Sequence, residues 1–378
     1  MTVATVVSSL LSVSQDTRAG NDSNWPDDLQ WKGYLAQTVV LQNSTNKMVG
    51  SAFSHIEAGV QASYEIHNNV DFRGMLSILG DKDDQVRANY MMLVLHTDDD
   101  DFGVRIGRIN HVLGFYNEPR NHPSARQWEF PPQGIYRDGF EYLARSGDGV
   151  QGYYNLQGRT YNLSVELNYS KPILYPMSAI TEGHFLVPLG KFSDDSRISG
   201  LNVGFFLEET GTSFRYDPHV FDFKHNLLGN MKTYIHYFGV KQYLSERDEF
   251  TAEYIYVDKY GPGWTNATGM LKAPASDGFA LTYGHAFNDE WCFHVGVDGF
   301  WINTDDRNGE SLSAVGIPAA RGYHESLNFT VGYRNNPWSV KWESHFVQGT
   351  NVLPSAYNDI GGMKEKWNYH ALTVAYEF

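Results

Sequence analysis

Nine charged residues in the first half of the chain have the types and the spacing to act together on small polar molecules. Arg73, Arg87 and Arg105 fall on the polar side of stretches in which apolar and polar residues alternate. Guanidinium groups that face carboxylates across a gap create a transverse field, which orients and filters small polar solutes. The other six lie close together in one aperiodic stretch and supply such carboxylates and further arginines: Glu118, Arg120, Arg126, Glu129, Arg137 and Asp138.

The aperiodic stretch, residues 110–147, shows neither a helical nor a strand period. It contains four prolines and, from Phe115 to Tyr136, five aromatic residues. A connection of this length without an element of its own is usually functional or disordered, and disordered segments are poor in aromatic residues. We therefore predict a folded insert that places charged side chains opposite the first three arginines. In a simpler alternative, the arginines only pair with nearby acids and tie the insert to its surroundings.

The composition excludes several classes of protein. The chain has 378 residues, 15% of them aromatic, and a formal net charge of −15, which argues against a nucleic-acid-binding protein because such proteins present a basic face. Its mean hydropathy is −0.42, and no apolar run approaches the roughly 18 to 20 residues of a membrane-spanning helix. Cys292 is the single cysteine, so an internal disulfide and a paired-cysteine site are excluded. No cofactor and no bound metal is predicted.

The first 28 residues differ from the rest of the chain. Met1 to Val13 is similar to the apolar core of an export signal, but no basic residues precede it and no clear small-residue cleavage site follows it. Residues 1–28 are therefore predicted to be an export-signal remnant or a flexible N-terminal tail.

From Leu29 onward, apolar and polar residues alternate in runs that predict β-strands. In His55–His67 the even-numbered positions from Ile56 to Ile66 are all apolar. Strict alternation indicates a strand because successive side chains point to opposite faces. Bulges are predicted in the eighth to tenth runs, where the pattern does not separate the two faces. The predicted runs, about sixteen, are 29–42, 55–67, 70–80, 86–96, 101–110, 147–156, 159–170, 196–207, 212–222, 230–243, 247–258, 277–286, 290–303, 322–333, 337–348 and 367–378.

The connections between these runs vary in length in a regular way. Every even-numbered connection is tight, as in His67–Val70 and Arg334–Trp338, whereas nearly every odd-numbered connection is longer. This parity indicates a meandering antiparallel sheet, and membrane barrels show it as short periplasmic turns and long outer loops. A β-propeller would show a repeated blade motif, and a soluble sandwich would have shorter strands. Aromatic residues near strand ends, such as Trp291 and Trp301, are typical of the girdles of a membrane barrel.

Two stretches carry a resemblance to a known family. The last run, Trp367–Phe378, alternates up to a terminal phenylalanine with Tyr376 two residues before it, and this resembles the C-terminal signature of Gram-negative outer-membrane barrels. Val104–Asn117 (VRIGRINHVLGFYN) is similar to the porin pattern in which an arginine-bearing fifth strand enters the third outer loop. Over residues 29–378 the chain resembles the porin superfamily, and no subfamily is identified.

The resemblance implies an all-β fold in which residues 29–378 form a single transmembrane antiparallel up-and-down β-barrel of about sixteen strands. The third outer loop, residues 110–147, is then expected to fold inward and constrict the pore. The resemblance also implies a location in the outer membrane of a Gram-negative bacterium, contact with membrane lipid and lipopolysaccharide, and a homotrimer.

A wide barrel cannot fill itself with side chains and encloses an aqueous channel. We therefore predict a porin, not an enzyme, that allows passive diffusion of small hydrophilic solutes and ions. The alternatives are a channel specific for a sugar or an anion, or a surface barrel enzyme or receptor. The aromatic residues of the insert favour solute specificity if they line the lumen, since sugars stack on aromatic faces.

Arg108 bears on the predicted barrel, and His294 and Asp298 bear on the enzyme alternative. Simple alternation puts Arg108 on the lipid face, where an arginine at the bilayer midplane costs about 2 to 4 kcal/mol, so a position at the rim or in the loop is predicted. His294 and Asp298 share a predicted inner face, as a barrel protease would need, but no nucleophile or second acidic pair accompanies them.

Overall fold

The computed structural model describes residues 29–51, 55–80, 86–116, 122–137, 145–173, 193–263, 265, 273–354, 357–359 and 361–378. The predicted signal remnant or tail, 1–28, lies outside them. The helix α1 spans Glu310–Ser313, and a 3-10 helix spans Ala319–Gly322. The strands are β1 (Leu29–Gln42), β2 (His55–His67), β3 (Val70–Leu79), β4 (Val86–His96), β5 (Phe102–Asn110), β6 (Ser146–Gln157), β7 (Tyr161–Pro172), β8 (Arg197–Leu207), β9 (Thr212–His225), β10 (Gly229–Tyr243), β11 (Asp248–Tyr260), β12 (Ser276–Ala286), β13 (Trp291–Trp301), β14 (Tyr323–Asn335), β15 (Trp338–Gly349) and β16 (Lys366–Glu377).

The sixteen strands form one closed sheet. Each strand pairs antiparallel with its neighbours in sequence, and β1 pairs with β16 to close the barrel. At the closure Tyr34 lies opposite Glu377, and the Gly33 N–H donates to the Phe378 carbonyl oxygen over 2.8 Å. Closure gives every strand a partner on both sides, which removes sheet edges. The predicted all-β antiparallel up-and-down barrel is confirmed.

The two faces of the wall follow from the alternation in the sequence. On one face, called the outer face here, apolar side chains are exposed: Leu93, Ile106 and Leu167 keep 43%, 44% and 64% of their surface accessible. The opposite or inner face carries polar side chains, many of them buried, such as Asp217 and Glu343. An apolar outer band around a polar interior is the arrangement that a barrel in lipid needs. None of the described helices has the length and apolar character to cross a membrane.

The strand bounds agree with the sequence prediction to within three residues. The parity of the connections also holds, with one difference. Because β9 continues to His225 and β10 begins at Gly229, the outer connection between them is a tight turn.

The bulges predicted in β8 to β10 are wrong, because the described pairs of these strands show no register shift. Register shifts lie instead near Glu65 between β2 and β3 and at Met75 between β3 and β4. The pattern in β8 to β10 was ambiguous for a different reason, since both faces carry apolar residues. Phe221 and Ile235, on the inner face, belong to a buried cluster that also contains Trp128.

Candidate functional site

The β5–β6 connection, residues 111–145, carries most of the charged residues singled out in the sequence. Its first described part meets the inner face of β8 and β9. Asn202 Nδ2 donates to the Val112 carbonyl oxygen over 2.5 Å, and the Gly114 N–H donates to Asp217 Oδ2 over 2.8 Å. The φ angle of Gly114 is 77°, a left-handed conformation that glycine adopts without the steric cost of a side chain.

A buried ionic cluster joins the middle of the connection to the wall. Arg126 Nη2 lies 2.5 Å from Glu57 Oε2 on β2, and Arg126 Nη1 lies 2.9 Å from Glu129 Oε1. His55 Nε2 is 3.1 Å from Glu129 Oε1, and Lys341 Nζ on β15 is 3.6 Å from Glu129 Oε2. The side chains of Arg126 and Glu129 are 6% and 1% exposed. Both charges therefore depend on these partners rather than on water.

Glu343 on β15 binds the backbone next to this cluster. The N–H groups of Glu129 and Phe130 both donate to its carboxylate, the second over 3.3 Å. His345 Nε2 lies 3.1 Å from Glu343 Oε2, and the buried ring of Trp128 lies 6.2 Å from the His345 ring. Hydrogen bonds to an ionised acceptor are among the stronger ones in proteins, so Glu343 holds the connection in a defined orientation.

The end of the connection is held by two further inner-face acids. The Gly134 N–H donates to Asp298 Oδ2 over 2.7 Å, and the Tyr136 hydroxyl donates to Glu253. A Cβ atom at position 134 would lie 2.6 Å from the Gly299 carbonyl oxygen. A residue with a side chain would clash there, so glycine permits this close approach of backbone to wall.

Asp298 lies between a serine and a histidine, in an order that differs from that of a catalytic triad. The Ser326 hydroxyl donates to Asp298, and His324 Nε2 lies 3.2 Å from Asp298 Oδ2. In a triad the imidazole lies between the other two groups and takes the serine proton. His294 and Asp298 are both buried on the inner face, as predicted. This geometry does not favour the enzyme alternative.

The three wall arginines lie on neighbouring strands and reach water. Arg73 Nη2 is 2.8 Å from Asp71 Oδ2, and the arginine side chain is 39% exposed. Arg105 Nη1 is 2.7 Å from Glu166 Oε1, and its side chain is 21% exposed. Arg87, on β4 between them, is half-buried. The acidic partners of Arg73 and Arg105 belong to the same wall, so each of these two pairs forms a local dipole.

The remaining predicted residues fall into two groups. Arg137 stacks on Phe300, with its guanidinium carbon 4.2 Å from the ring centroid, and donates to the Asn351 carbonyl oxygen over 3.3 Å. Glu118, Arg120 and Asp138 lie outside the described residues. The structure therefore brings Arg126 and Glu129 together in a contact with the wall and places the three wall arginines elsewhere on the inner face.

The sequence does not show which inner-face acids receive the connection. Glu57, Glu253, Asp298 and Glu343 accept its hydrogen bonds or ion pairs. Their positions in the alternation mark them as inner-face residues, and this is the one signal that the sequence offers. It does not indicate which segment each carboxylate meets.

Arg108 lies within β5 near its loop end, on the outer face. Its Nε atom is 3.0 Å from Oδ1 of Asp148, which stands opposite it on β6. A cross-strand carboxylate stabilises an exposed arginine on a sheet. The charge is thus tolerated within the strand because it is paired, and a position in the loop is not needed.

Solved structures with this architecture match nearly the whole chain, whereas no protein-family model and no curated protein matches its sequence. OmpF of Salmonella typhi, in a complex with daunomycin, has a TM-score of 0.60 at 11% identity over 93% of this chain and 97% of its own. An anion-selective porin from Comamonas acidovorans has a TM-score of 0.59 at 9% identity over 93% and 99%. The outer-membrane channel DcaP of Acinetobacter baumannii has a TM-score of 0.56 at 13% identity over 95% and 100%.

The chain has the fold of the outer-membrane porins. At identities of 9% to 13% the likeness is one of fold.

Proposed function

We propose that this porin-fold barrel lies in the outer membrane of a Gram-negative bacterium and lets small hydrophilic solutes and ions diffuse passively through a water-filled pore. Support comes from the closed sixteen-stranded wall with an apolar outer face and a polar inner face. A barrel of this width leaves an aqueous lumen. The structures that share the fold are described as outer-membrane proteins, channels or porins.

In this proposal, the β5–β6 connection lies in the lumen and narrows it. The observation that carries it is the spread of the inner-face acids that bind the connection around the barrel. They are Asp217 on β9, Asp298 on β13, Glu343 on β15 and Glu57 on β2. A single chain segment can meet the inner faces of strands so far apart only by running through the interior of the barrel.

The open passage then runs along β3 to β7, where Arg73, Arg87 and Arg105 line it. Arg126 and Glu129 anchor the connection instead of lining the passage, since their charges are buried against the wall. The water-exposed arginines act on passing solutes through charge and through the width they leave.

The proposed partners follow from the two faces of the wall. The apolar outer face contacts membrane lipid and, at the loop rim, lipopolysaccharide, and the lumen takes small hydrophilic solutes. We also propose a homotrimer. A trimer form is described for OmpT of Vibrio cholerae, which shares the fold with a TM-score of 0.53 at 11% identity over 93% of this chain and 99% of its own.

Reversing the charge of one wall arginine tests the proposed passage. Arg105→Glu is expected to raise the cation-to-anion permeability ratio by about threefold or more at 0.1 M salt, because the passage loses a cation and gains an acid beside Glu166. The measurement is the reversal potential of the purified protein in a planar bilayer under a salt gradient. At 1 M salt the shift should shrink, because the screening length falls to about 3 Å.

A matched control has the same change in net charge far from the passage. Arg247 is exposed in the turn between β10 and β11, where it donates to the Phe287 carbonyl oxygen over 3.2 Å. Arg247→Glu should leave the permeability ratio unchanged. Equal shifts in both variants, or none in either, would show that Arg105 does not line the passage.

The ionic cluster makes the attachment of the connection resistant to acid. Burial raises the pKa of the Glu129 carboxyl, but the charge of Arg126, the hydrogen bond from His55 and the charge of Lys341 lower it more, and the net pKa lies well below its ordinary value of 4.5. A carboxyl with a lowered pKa stabilises the attachment above its ordinary pKa and loses that contribution as the pH falls through the lowered value. Conductance and current noise should therefore stay constant from neutral pH down to pH 4.5 and rise only well below it.

The matched variant for this pH series is Glu129→Gln, which cannot ionise. It should be noisy already at neutral pH and should show little further change on acidification. A wild-type channel that becomes noisy close to pH 4.5 would contradict the assignment of Glu129 as an anchor with a lowered pKa.

A further inference from the structure

We propose that the inner wall at the turn end of β6 to β9 carries a binding site for a neutral saccharide. This inference rests on the proposed function, since it names a solute class for the same lumen. A cavity of about 510 Å³ lies there, between the wall and Phe115 of the β5–β6 connection. Sites for small molecules commonly have volumes of about 300 to 1,000 Å³, so a mono- or disaccharide fits.

The first row of the cavity wall is a line of facing residues across four strands. Asn155 on β6 lies opposite Ser164 on β7, Ser164 opposite Gly204 on β8, and Gly204 opposite Arg215 on β9. A Cβ atom at position 204 would lie 2.5 Å from Ser164 Oγ. The Ser164 hydroxyl therefore occupies the space beside Gly204 and is the polar group that the first row presents there.

A second row lies next to it, nearer the turns. Gln157 on β6 lies opposite Asn162 on β7, Asn162 opposite Phe206 on β8, and Phe206 opposite Ser213 on β9. Gln157 is exposed, and the other three are half-buried. The two rows therefore present amides, hydroxyls and one aromatic ring to the same space.

Phe115, which belongs to the β5–β6 connection, lines the cavity opposite the wall. Contacts with β9 and β10 hold it in this position. Asp217 Oδ2 accepts both the Gly114 N–H, over 2.8 Å, and Arg215 Nε, over 2.7 Å. The Phe115 ring lies against β10, since a Cβ atom at Gly239 would come within 2.7 Å of its Cε2 atom. One carboxylate thus fixes both the aromatic cover and the arginine of the cavity.

The chemistry of this lining matches a polyhydroxylated neutral molecule. Amide and hydroxyl side chains both donate and accept hydrogen bonds, as sugar hydroxyls do. Phe206 and Phe115 offer apolar faces on two sides of the cavity, and the C–H faces of a sugar ring pack well on aromatic surfaces. A saccharide ring uses both the apolar faces and the paired donors and acceptors of such a site.

The charges around the cavity disfavour an anion. Arg215 is committed to Asp217, and Asp99, Asp100 and Asp101 line the same cavity, so an anion meets more acids than bases. Asp100 also accepts a hydrogen bond from the Tyr153 hydroxyl, as a carboxylate can from a sugar hydroxyl.

The experiment measures block of single-channel current by maltose in a planar bilayer, with maltose added to one side at a time. We expect a concentration-dependent block with a faster association rate from the side of the short turns, where the cavity lies. Phe206→Ala and Asn162→Ala should each weaken the apparent affinity by about tenfold, because each removes a direct ligand contact. Gln61→Ala, a neutral amide on the inner face of β2, should leave it unchanged.

Two comparisons keep the outcome decisive. Gluconate, a charged relative of the sugar, should block far less than maltose, and equal block by both would overturn the assignment to a neutral saccharide. Block that is the same in Phe206→Ala and Asn162→Ala as in the wild type would overturn the location. Heat-dependent gel mobility of each variant shows that its barrel is folded.

The result also separates this inference from the proposed function. A stable channel whose current maltose does not change would support the pore and overturn the saccharide site. A folded protein without any conductance would overturn the pore. Calorimetric titration of the folded protein in detergent with maltose then tests binding by itself. The absence of binding heat in this titration would also overturn the saccharide site.

Discussion

Replacing residues 122–136 with a short glycine-serine linker is expected to raise single-channel conductance by about twofold, because this part of the connection then no longer narrows the lumen. The wall should remain folded, because its antiparallel pairs run from β1 round to β16 without help from the connection. The freed acids, among them Glu57, Asp298 and Glu343, become hydrated and add negative charge to the lumen. Selectivity should therefore shift toward cations in the same recordings.

The control replaces the equally long stretch 304–318 in the β13–β14 connection, which carries α1. That variant should keep wild-type conductance and selectivity. A linker variant with a folded barrel, as judged by heat-dependent gel mobility, and with unchanged conductance would show that the β5–β6 connection lies outside the solute path.

Arg126→Met is expected to detach the connection without unfolding the barrel. Glu57 and Glu129 lose the cation that both of them contact at 2.5 and 2.9 Å. Removing one partner of a buried ion pair costs about 3 to 5 kcal/mol because a charge is left buried without compensation. The measurements are open-channel current noise and the rate of proteolytic cleavage within residues 111–145, and both should rise.

Two companion variants separate charge from shape at this position. Arg126→Lys keeps the charge, but it loses the bidentate geometry of the guanidinium. The current noise of this variant should therefore lie between that of the wild type and that of Arg126→Met. Adding Glu57→Gln to Arg126→Met removes one of the stranded charges and should recover part of the attachment. Wild-type noise and cleavage in Arg126→Met would mean that the cluster does not hold the connection.

The strands of the wall could be predicted from the sequence, because the face of the sheet on which a side chain lies follows from its position in the local alternation. In Ile56 to Ile66 every second residue is apolar, and the structure has β2 there with the same alternation of faces. The same rule assigned Arg73 and Arg105 to the inner face. The rule does not separate the two faces in β9 and β10, where Phe221 and Ile235 on the inner face belong to one buried cluster with Trp128 of the connection.

The contacts of the connection could not be predicted in this way. Arg126 and Glu129 are three residues apart, a spacing that is equally typical of a solvent-exposed pair, yet they are buried. The Glu129 N–H donates to Glu343, which lies 214 residues later in the chain. No local sequence pattern predicts a partner that lies so far along the chain.

By itself the sequence determined the number of strands, their bounds to within three residues, the faces of most strands and most of the parity of turns and loops. Each of these depends on neighbours along the chain or on the strand count. Only the tertiary structure decided which acids receive the connection and that Arg126 and Glu129 are anchors. Pairing of β1 with β16 brings β2 and β15 close together, so Glu57 and Lys341 can reach one point. The ionic cluster exists because the sheet closes, and closure is a property of the whole chain.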